Sequence, residues 1–292
     1  MKKFLCSLFG FVFSILLFYI LTFYMLSFFT KKNIYKSDII LLGDSHTINL
    51  KIPNSYNYSK NGASYVLHYN FVNTFKNQIK NKTVIIALSP NNLANYKQFY
   101  FDTPGFRPDW KKKINDEIDF YMFFTSSKFD NYNWRQRGFV NIWVNKNLIM
   151  SLFKNFFNFM NKSSQNKDVT LSDENKFSKT IYRHFGNPEY IYDDKIESLF
   201  LNKLLLNLDS INCNVFLYNS PKTDYYNLNT PEKFNKRLNI YYKINKYSIL
   251  DYSRFNSSNL RLFKDVDHLN EQGESIMSDI LYKDLKELTF MP

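Results

Sequence analysis

The sequence predicts an α/β fold: a three-layer sandwich with a mostly parallel central sheet. Three observations support this prediction. Short apolar runs of strand length recur along the chain, amphipathic stretches of helix length separate them, and turn residues follow them directly. Strands that alternate with helices favour a parallel sheet covered on both faces. In such sheets the functional residues lie in loops beyond the carboxyl ends of the strands.

The individual elements can be assigned from these patterns. The apolar runs predict four buried strands and one weaker one, at Asp38–Leu42, Val84–Leu88, Asn214–Tyr218, Tyr247–Leu250 and, more weakly, Tyr56–Tyr58. The amphipathic stretches predict helices at Asp194–Asp209, Pro231–Tyr242 and Glu271–Leu288.

The N-terminal segment predicts a membrane anchor. Phe4–Phe29 contains no charged residue, and as a helix it would extend about 39 Å, more than the roughly 30 Å hydrocarbon core of a bilayer. It ends without a small-residue cleavage site. We therefore predict an uncleaved transmembrane helix in residues 1–32 and an α/β domain in residues 33–292. Lysines flank both ends, so the positive-inside rule is nearly balanced; we favour a short cytoplasmic tail and an exported domain.

Residues from about 96 to 190 break the strand–helix rhythm. They combine a Pro- and Gly-containing stretch, amphipathic pieces such as Leu152–Met160 and a polar segment, Asn161–Lys176. We interpret them as a helical insertion. Two roles remain open, a cap over the strand ends and a peripheral lobe without a catalytic role.

Charge and cysteine content narrow the possible partners. The net charge is +12, and two interpretations remain open: attraction to anionic lipid or an acidic polymer, and a charge that only solvates the surface. The lysines are scattered and no nucleic-acid motif is present, so we expect no nucleic-acid partner. Cys6 and Cys213 are the two cysteines, and their positions do not suggest a disulfide. No clustered His/Cys ligand set occurs, and we expect no metal or cofactor.

A serine follows the first predicted strand directly. In Ile39–Thr47, Gly43 permits a tight turn, and Ser45 is expected at the strand's carboxyl edge at the start of a helix. Backbone N–H groups and the helix dipole favour an oxyanion there. Gly-Asp-Ser alone is a weak motif, because ordinary turns use the same residues.

A serine nucleophile needs a base, and the chain offers four histidines: His46, His68, His184 and His268. His268 lies just before the predicted last helix. Asp265 precedes it by three residues, a spacing at which a carboxylate can hold the imidazole Nδ1–H. Asp267 competes with Asp265 for this role.

Four blocks, in order, resemble the SGNH (GDSL-like) hydrolase family. These are Gly43–Ser45, Asn61–Ser64, Leu88–Leu93 and Asp265–Gly273. The resemblance implies a flavodoxin-like SGNH fold with the triad Ser45, His268 and Asp265. It also implies an oxyanion hole formed by the N–H groups of Ser45 and Gly62 and by the side-chain amide of Asn91.

The third block departs from the family pattern. Ser89 stands where the family often has glycine, and Asn92 where it often has aspartate. Neither residue replaces a proton-transfer group. If Asn91 is misassigned, Asn92 is the alternative donor.

The resemblance implies an esterase or an O-acyltransferase that acts on acyl groups of cell-envelope polysaccharide or a related glycan. An anchor followed by an exported SGNH domain also resembles proteins that work with membrane-bound O-acyltransferases, which would make such an enzyme a partner. Two further classes remain open. One is a non-catalytic binding or scaffold protein on the same fold, and the other is a phospholipid-directed lipase.

Overall fold

The computed structural model describes residues 10, 11, 14, 17, 28–60, 62–94, 174–186, 195–244 and 246–289. Most of the predicted membrane segment and most of the predicted insertion lie outside these residues. Within the described ranges, no helix combines the length and apolarity needed to cross a membrane. The chain divides into two compact units, Met1–Asn33 with Asp119–Asn166, and Ile34–Ile118 with Lys167–Pro292.

The second unit is built on a five-stranded, all-parallel sheet, as the sequence predicts. The strand order is β2-β1-β3-β4-β5. The strands are β1 (Ile39–Leu42), β2 (Ser55–Asn57), β3 (Thr83–Ala87), β4 (Asn214–Asn219) and β5 (Ser248–Asp251). The α/β class and the parallel sheet are therefore confirmed, and each predicted strand matches an observed one to within about two residues at either end.

Helices connect and cover these strands. Within the described ranges they are α1 (Tyr65–Thr74), α2 (Lys76–Ile79), α3 (Glu174–Phe185), α4 (Lys195–Asp209), α5 (Asp224–Asn229), α6 (Glu232–Tyr242) and α7 (Glu271–Thr289). Short 3₁₀ turns occupy Pro90–Leu93 and Leu260–Leu262. The three helices predicted from periodicity correspond to α4, α6 and α7.

One face of the sheet packs on α7. Leu41 of β1, Ile85 of β3 and Phe216 of β4 share a buried cluster with Met277 and Leu281 of α7. Burying a side chain of this size contributes about 1.5–3 kcal/mol. Because side chains alternate along a strand, Ile40, Leu42 and their neighbours point to the opposite face, where all are buried. Helices α1 and α4 contact each other, and Tyr65 of α1 donates to the Ala87 carbonyl of β3 at 2.9 Å. The arrangement is consistent with a three-layer sandwich.

The strand order determines where a site can form. The chain proceeds from β1 to one side to form β2, and then crosses to the other side to form β3. A parallel sheet opens a crevice beyond the carboxyl ends of the strands at such a switch point. The loops after β1, β2 and β3 meet there, and they contain Ser45, Gly62 and Asn91.

Candidate active site

The turn after β1 is packed so closely that only glycine fits at its first position. A Cβ placed on Gly43 would lie 1.8 Å from Thr47 Oγ1 and 2.9 Å from Ser59 Oγ. Thr47 Oγ1 donates to the Asp44 carbonyl at 3.2 Å and contacts Ser59 Oγ at 2.9 Å. Gly43 therefore allows the strand end to rest against the two hydroxyl groups that hold the serine turn in place.

The helix expected to begin at Ser45 is not formed. Residues 45–49 form successive turns, and the Asn57 side-chain amide donates to the carbonyls of Thr47 and Leu50 at 2.9 and 3.2 Å. The Thr47 carbonyl also accepts the Leu50 N–H at 3.1 Å, so these carbonyls are bonded within a turn and to a side chain of β2, and a helix does not follow. The expectation of a helix N-terminus at Ser45 is wrong, and the helix dipole does not contribute there.

Ser45, His268 and Asp265 form a chain of hydrogen bonds. Ser45 Oγ is 2.8 Å from His268 Nε2, and His268 Nδ1 is 2.9 Å from Asp265 Oδ1. Asp265 Oδ1 also accepts the backbone N–H of His268 at 2.8 Å, so the acid fixes both the backbone and the ring. Since a carboxylate only accepts, Nδ1 carries a proton, and in the neutral ring Nε2 is free to accept one. This is the geometry of an activated serine.

A second carboxylate lies beside the same ring nitrogen. Asp267 Oδ1 is 3.2 Å from His268 Nδ1, but its orientation does not make a hydrogen bond. The Asp267 side chain is 1% exposed and that of Asp265 is 45% exposed. The bonded acid is therefore the exposed one, as the spacing predicts, whereas the buried acid acts on His268 through its charge.

These carboxylates make His268 a stronger base. Burial alone lowers the pKa of His268, but the hydrogen bond to Asp265 and the charges of Asp265 and Asp267 outweigh burial and raise the pKa to about 10. Burial alone would likewise raise the pKa of Asp267, but the adjacent rings of His268 and His46 hold it well below its usual range. Asp267 is thus an ionised, buried carboxylate.

His46 takes part in this cluster, although it does not contact the serine hydroxyl. Its Nδ1 lies 2.8 Å from Asp44 Oδ1, and its Nε2 lies 3.1 Å from Asp267 Oδ2. Its ring stacks on that of His268, with centroids 4.2 Å apart and planes 5° from parallel. His46 therefore joins the turn after β1 to the loop that contains the base.

The loop after β3 is bound to the same turn through Asp44. Asn92 Nδ2 donates to Asp44 Oδ2 at 2.7 Å, and Asn91 Nδ2 lies 3.5 Å from the same oxygen. Asn92 Oδ1 in turn accepts the backbone N–H of Ser89 at 2.9 Å. An amide at position 92 is suited to this contact, because an aspartate there would face the Asp44 carboxylate. This explains one departure from the SGNH pattern.

The two remaining predicted donors lie in loops that border Ser45. Asn91 is fully buried, and within the described residues its Oδ1 has no hydrogen-bond partner. Gly62 has a left-handed backbone with φ +67. Its loop is bound to the serine turn by the Lys60 N–H, which donates to the Gly43 carbonyl at 3.2 Å. Asn61, which the resemblance also includes, lies outside the described residues.

Two further buried groups reach the cluster from other elements. His184, at the end of α3, donates to or accepts from Tyr226 OH at 2.9 Å and lies 3.8 Å from Asp267 Oδ2. Burial lowers the pKa of His184 to about 3, so its ring is neutral. Lys222, in the loop after β4, donates to Ser220 Oγ at 2.8 Å, and burial lowers its pKa to about 8 although Asp267, Asp44 and Asp251 raise it.

Sequence patterns did not identify these contributions. The prediction listed His46 and His184 only as alternative bases, and it gave Asp44 and Lys222 no role. The available signal was weak: polar residues two or three positions beyond a strand end, at Asp44 after β1 and Lys222 after β4. Neither position shows by itself which partner the side chain contacts.

Histidine and aspartate, the residue types of this cluster, are also common metal ligands. His46, Asp267 and His268 offer ligand atoms within 4.8 Å of one another. Each ring already uses both nitrogens toward Asp44, Asp267, Asp265 or Ser45. A metal ion would have to break the hydrogen bonds that join Ser45, His268 and Asp265, or those that the His46 ring makes to Asp44 and Asp267. The cluster is therefore better suited to proton transfer than to metal binding.

Comparison with models of known protein families finds no match. Comparison with curated proteins finds no similar sequence either.

Proposed function

We propose that this protein is a serine esterase or O-acyltransferase of the SGNH kind, with Ser45 as its nucleophile. The observation that carries the proposal is the unbroken sequence of contacts from Ser45 Oγ to His268 Nε2 at 2.8 Å and from His268 Nδ1 to Asp265 at 2.9 Å. The strand order β2-β1-β3-β4-β5 is the flavodoxin-like order, which supports the family resemblance.

The first half of the reaction forms an acyl-enzyme. His268 Nε2 accepts the proton of Ser45 as Oγ attacks an ester carbonyl, and Asp265 stabilises the resulting imidazolium. The tetrahedral intermediate then expels the alcohol, which takes the proton back from His268. The ester bond of the donor is broken, and a new ester joins the acyl group to Ser45.

The developing oxyanion needs donors on the opposite side of the carbonyl from His268. We assign this role to the N–H groups of Ser45 and Gly62 and to the Asn91 amide. Their loops follow β1, β2 and β3, which are neighbours in the sheet. Loss of one such donor typically lowers the rate by about 10²–10³.

The second half releases the acyl group. Water or an acceptor hydroxyl gives its proton to His268 and attacks the acyl-enzyme, and Ser45 leaves with that proton. Attack by water makes the protein an esterase, and attack by a sugar hydroxyl makes it a transferase. Both outcomes use the same residues.

We further propose that the substrate is an acylated cell-envelope polysaccharide or related glycan, and that the predicted N-terminal helix holds the domain at the outer face of a membrane. The net charge of +12 suits an anionic polymer or membrane surface. A membrane-bound O-acyltransferase is the proposed partner that would supply the acyl group.

The test is covalent labelling of the full-length chain with a fluorophosphonate, which reacts with activated serines. We expect Ser45→Ala to abolish labelling and His268→Gln to lower its rate by at least about 10³-fold. Ser210→Ala is the matched control: this exposed serine directly follows α4 and its hydroxyl donates to the local Asn207 carbonyl at 2.7 Å, so labelling should persist.

The same preparation separates the two reactions. Acyl release from an acetylated oligosaccharide into water is compared with transfer to an unmodified oligosaccharide, and phospholipid vesicles serve as the lipase substrate. Labelling that survives in Ser45→Ala would refute the proposal. An unlabelled wild-type chain that still binds the oligosaccharide would favour a non-catalytic binding protein.

A further inference from the structure

The hydrogen bonds of His46 require both of its ring nitrogens to donate. A neutral imidazole offers one donor and one acceptor, and an ionised carboxylate only accepts. His46 Nδ1 faces Asp44 Oδ1 at 2.8 Å, and Nε2 faces Asp267 Oδ2 at 3.1 Å. Both contacts are satisfied only if His46 carries two protons.

Neither carboxylate is suited to carry the proton instead. Asp44 accepts on both oxygens: Oδ1 takes the backbone N–H of His46 at 3.0 Å, and Oδ2 takes Asn92 Nδ2 at 2.7 Å. A proton on Asp44 would compete with these donors. Asp267 is buried between the two rings: its Oδ2 faces His46 Nε2 at 3.1 Å, and its Oδ1 lies 3.2 Å from His268 Nδ1, which carries a proton. The hydrogen bonds therefore favour a proton on each ring nitrogen of His46.

A charge on His46 would act directly on His268, because the two rings stack. The His46 and His268 rings are parallel within 5° and 4.2 Å apart. A positive charge at this distance disfavours a second positive charge on His268. The charge on His46 therefore opposes the effect of Asp265 and Asp267, which favour the protonated form of His268.

We propose that His46 is a fixed imidazolium whose charge offsets the carboxylates behind His268 and so sets the pH at which His268 becomes a base. His46 is then a positioning residue that acts through His268 and contacts no substrate. The protonation of His46 stands on hydrogen bonding alone, whereas its effect on the reaction rests on the proposed function.

Titratable groups on several elements surround the two rings and their carboxylates. Asp44, Asp265, Asp267 and His184 approach from the turn after β1, the His268 loop and the end of α3, and Lys222 in the loop after β4 interacts with Asp267 and Asp44 through its charge. His184 is neutral, and Lys222 faces Asp267 and Asp44. His46 is therefore the cation in direct ring contact with His268 within the described part of the chain.

The first test is independent of activity. The full-length chain is labelled with ¹⁵N-histidine, and the ring nitrogens are observed by NMR between pH 6 and 8.5. The His46 signals are assigned by their loss in His46→Gln. We expect both nitrogens of His46 to remain protonated throughout. An unprotonated ring nitrogen on His46 within this range would overturn the proposal. Asp44→Asn removes one anion of the clamp, and there we expect one nitrogen to lose its proton within the range.

The second test measures the rate of fluorophosphonate labelling of Ser45 against pH. In His46→Gln the midpoint of the rising limb should move up by ~1–2 pH units, seen as a labelling rate ~10–100-fold lower at each pH between 7 and 9. His68→Gln is the matched control: His68 is a buried histidine bonded to the Gly43 carbonyl at 3.2 Å, under the same turn, and its replacement should leave the midpoint in place. An unmoved or lower midpoint in folded His46→Gln would overturn the effect on His268. If the wild-type chain is not labelled at all, the proposed function fails, and the NMR result still decides the state of His46.

Discussion

Replacing Gly43 by alanine tests whether the serine turn depends on close packing. The added Cβ would lie 1.8 Å from Thr47 Oγ1, 2.9 Å from Thr47 Cβ and 2.9 Å from Ser59 Oγ. Thr47 is fully buried, so it cannot move aside into solvent. Either its side chain must abandon the bonds to Asp44 and Ser59, or the backbone at Gly43 must shift.

The expected cost follows from these contacts. Overpacking a tight site costs about 1–3 kcal/mol, and losing one buried hydrogen bond adds about 1 kcal/mol. The free energy of unfolding should therefore fall by roughly 2–4 kcal/mol, which lowers Tm by roughly 4–16 °C in a domain of this size. The turn also positions Ser45, and since a displacement of about 1 Å can cost 10²-fold in rate, labelling of Ser45 should slow by a comparable factor.

A double-mutant cycle isolates the cause. Thr47→Gly removes both the Oγ1 and the Cβ that the new methyl group would meet, so Gly43→Ala in that background should cost less than about 1 kcal/mol. Urea unfolding followed by far-UV circular dichroism measures each corner of the cycle. The reasoning is refuted if Gly43→Ala alone changes stability by under about 0.5 kcal/mol, or if the penalty is the same with and without Thr47.

Three further outcomes follow from the site. Because the pKa of His268 is raised to about 10 and a base must be deprotonated, the rate of Ser45 labelling should climb about tenfold per pH unit from pH 7 to 9; a plateau below pH 7 would contradict this. Because burial lowers the pKa of Lys222 to about 8, the folded chain loses this proton before the unfolded chain does. The wild type should therefore gain stability relative to Lys222→Met as pH rises from 8 toward 10, by at most about 1.4 kcal/mol per pH unit. Urea unfolding across this range measures the difference between the two chains, and a difference that does not change with pH would contradict the expectation. The Thr223 hydroxyl caps α5 and donates to the Val266 carbonyl at 2.8 Å, so Thr223→Ala should lower the free energy of unfolding by about 1–2 kcal/mol. Thr223→Ser keeps the hydroxyl and should lower it clearly less. Equal losses of stability for the two variants in thermal unfolding would count against the cap.

The elements of the fold could be predicted because their signals are local. The apolar runs at β1, β3, β4 and β5 are bounded by turn residues, and α7 has a regular apolar stripe. The order of the strands could not be read in the same way. It depends on which strand edge each connection reaches, and residues far apart in sequence determine that choice. The turn after Ser45 was mispredicted for a related reason. The side-chain amide of Asn57, on the neighbouring strand, donates to the carbonyls of Thr47 and Leu50 and stabilises a turn in place of the expected helix.

The candidate site divides along the same line. Ser45 and His268 were recognisable because each adjoins a predictable element, and Asp265 because its distance along the chain from His268 is short. Asp44 and His46 acquire their roles only through side-chain contacts across the sheet edge, and Lys222 through the charges of Asp44 and Asp267. His46 is adjacent to Ser45 in sequence, yet its ring contacts Asp267, 221 positions away. No spacing rule contains that information.

The same contacts explain why the triad cannot be treated apart from its surroundings. Asp44 and Asp267 are both buried, and a buried carboxylate persists only where hydrogen bonds and opposite charges compensate it. His46, His268 and Lys222 provide that compensation from three separate loops. The charges that make the buried acids tolerable in the fold are thus the charges that set the proton affinity of the base. Any substitution within this group should therefore change stability and the pH dependence of the reaction together, whereas a substitution at Asp265, whose side chain is 45% exposed, should change the reaction far more than the stability.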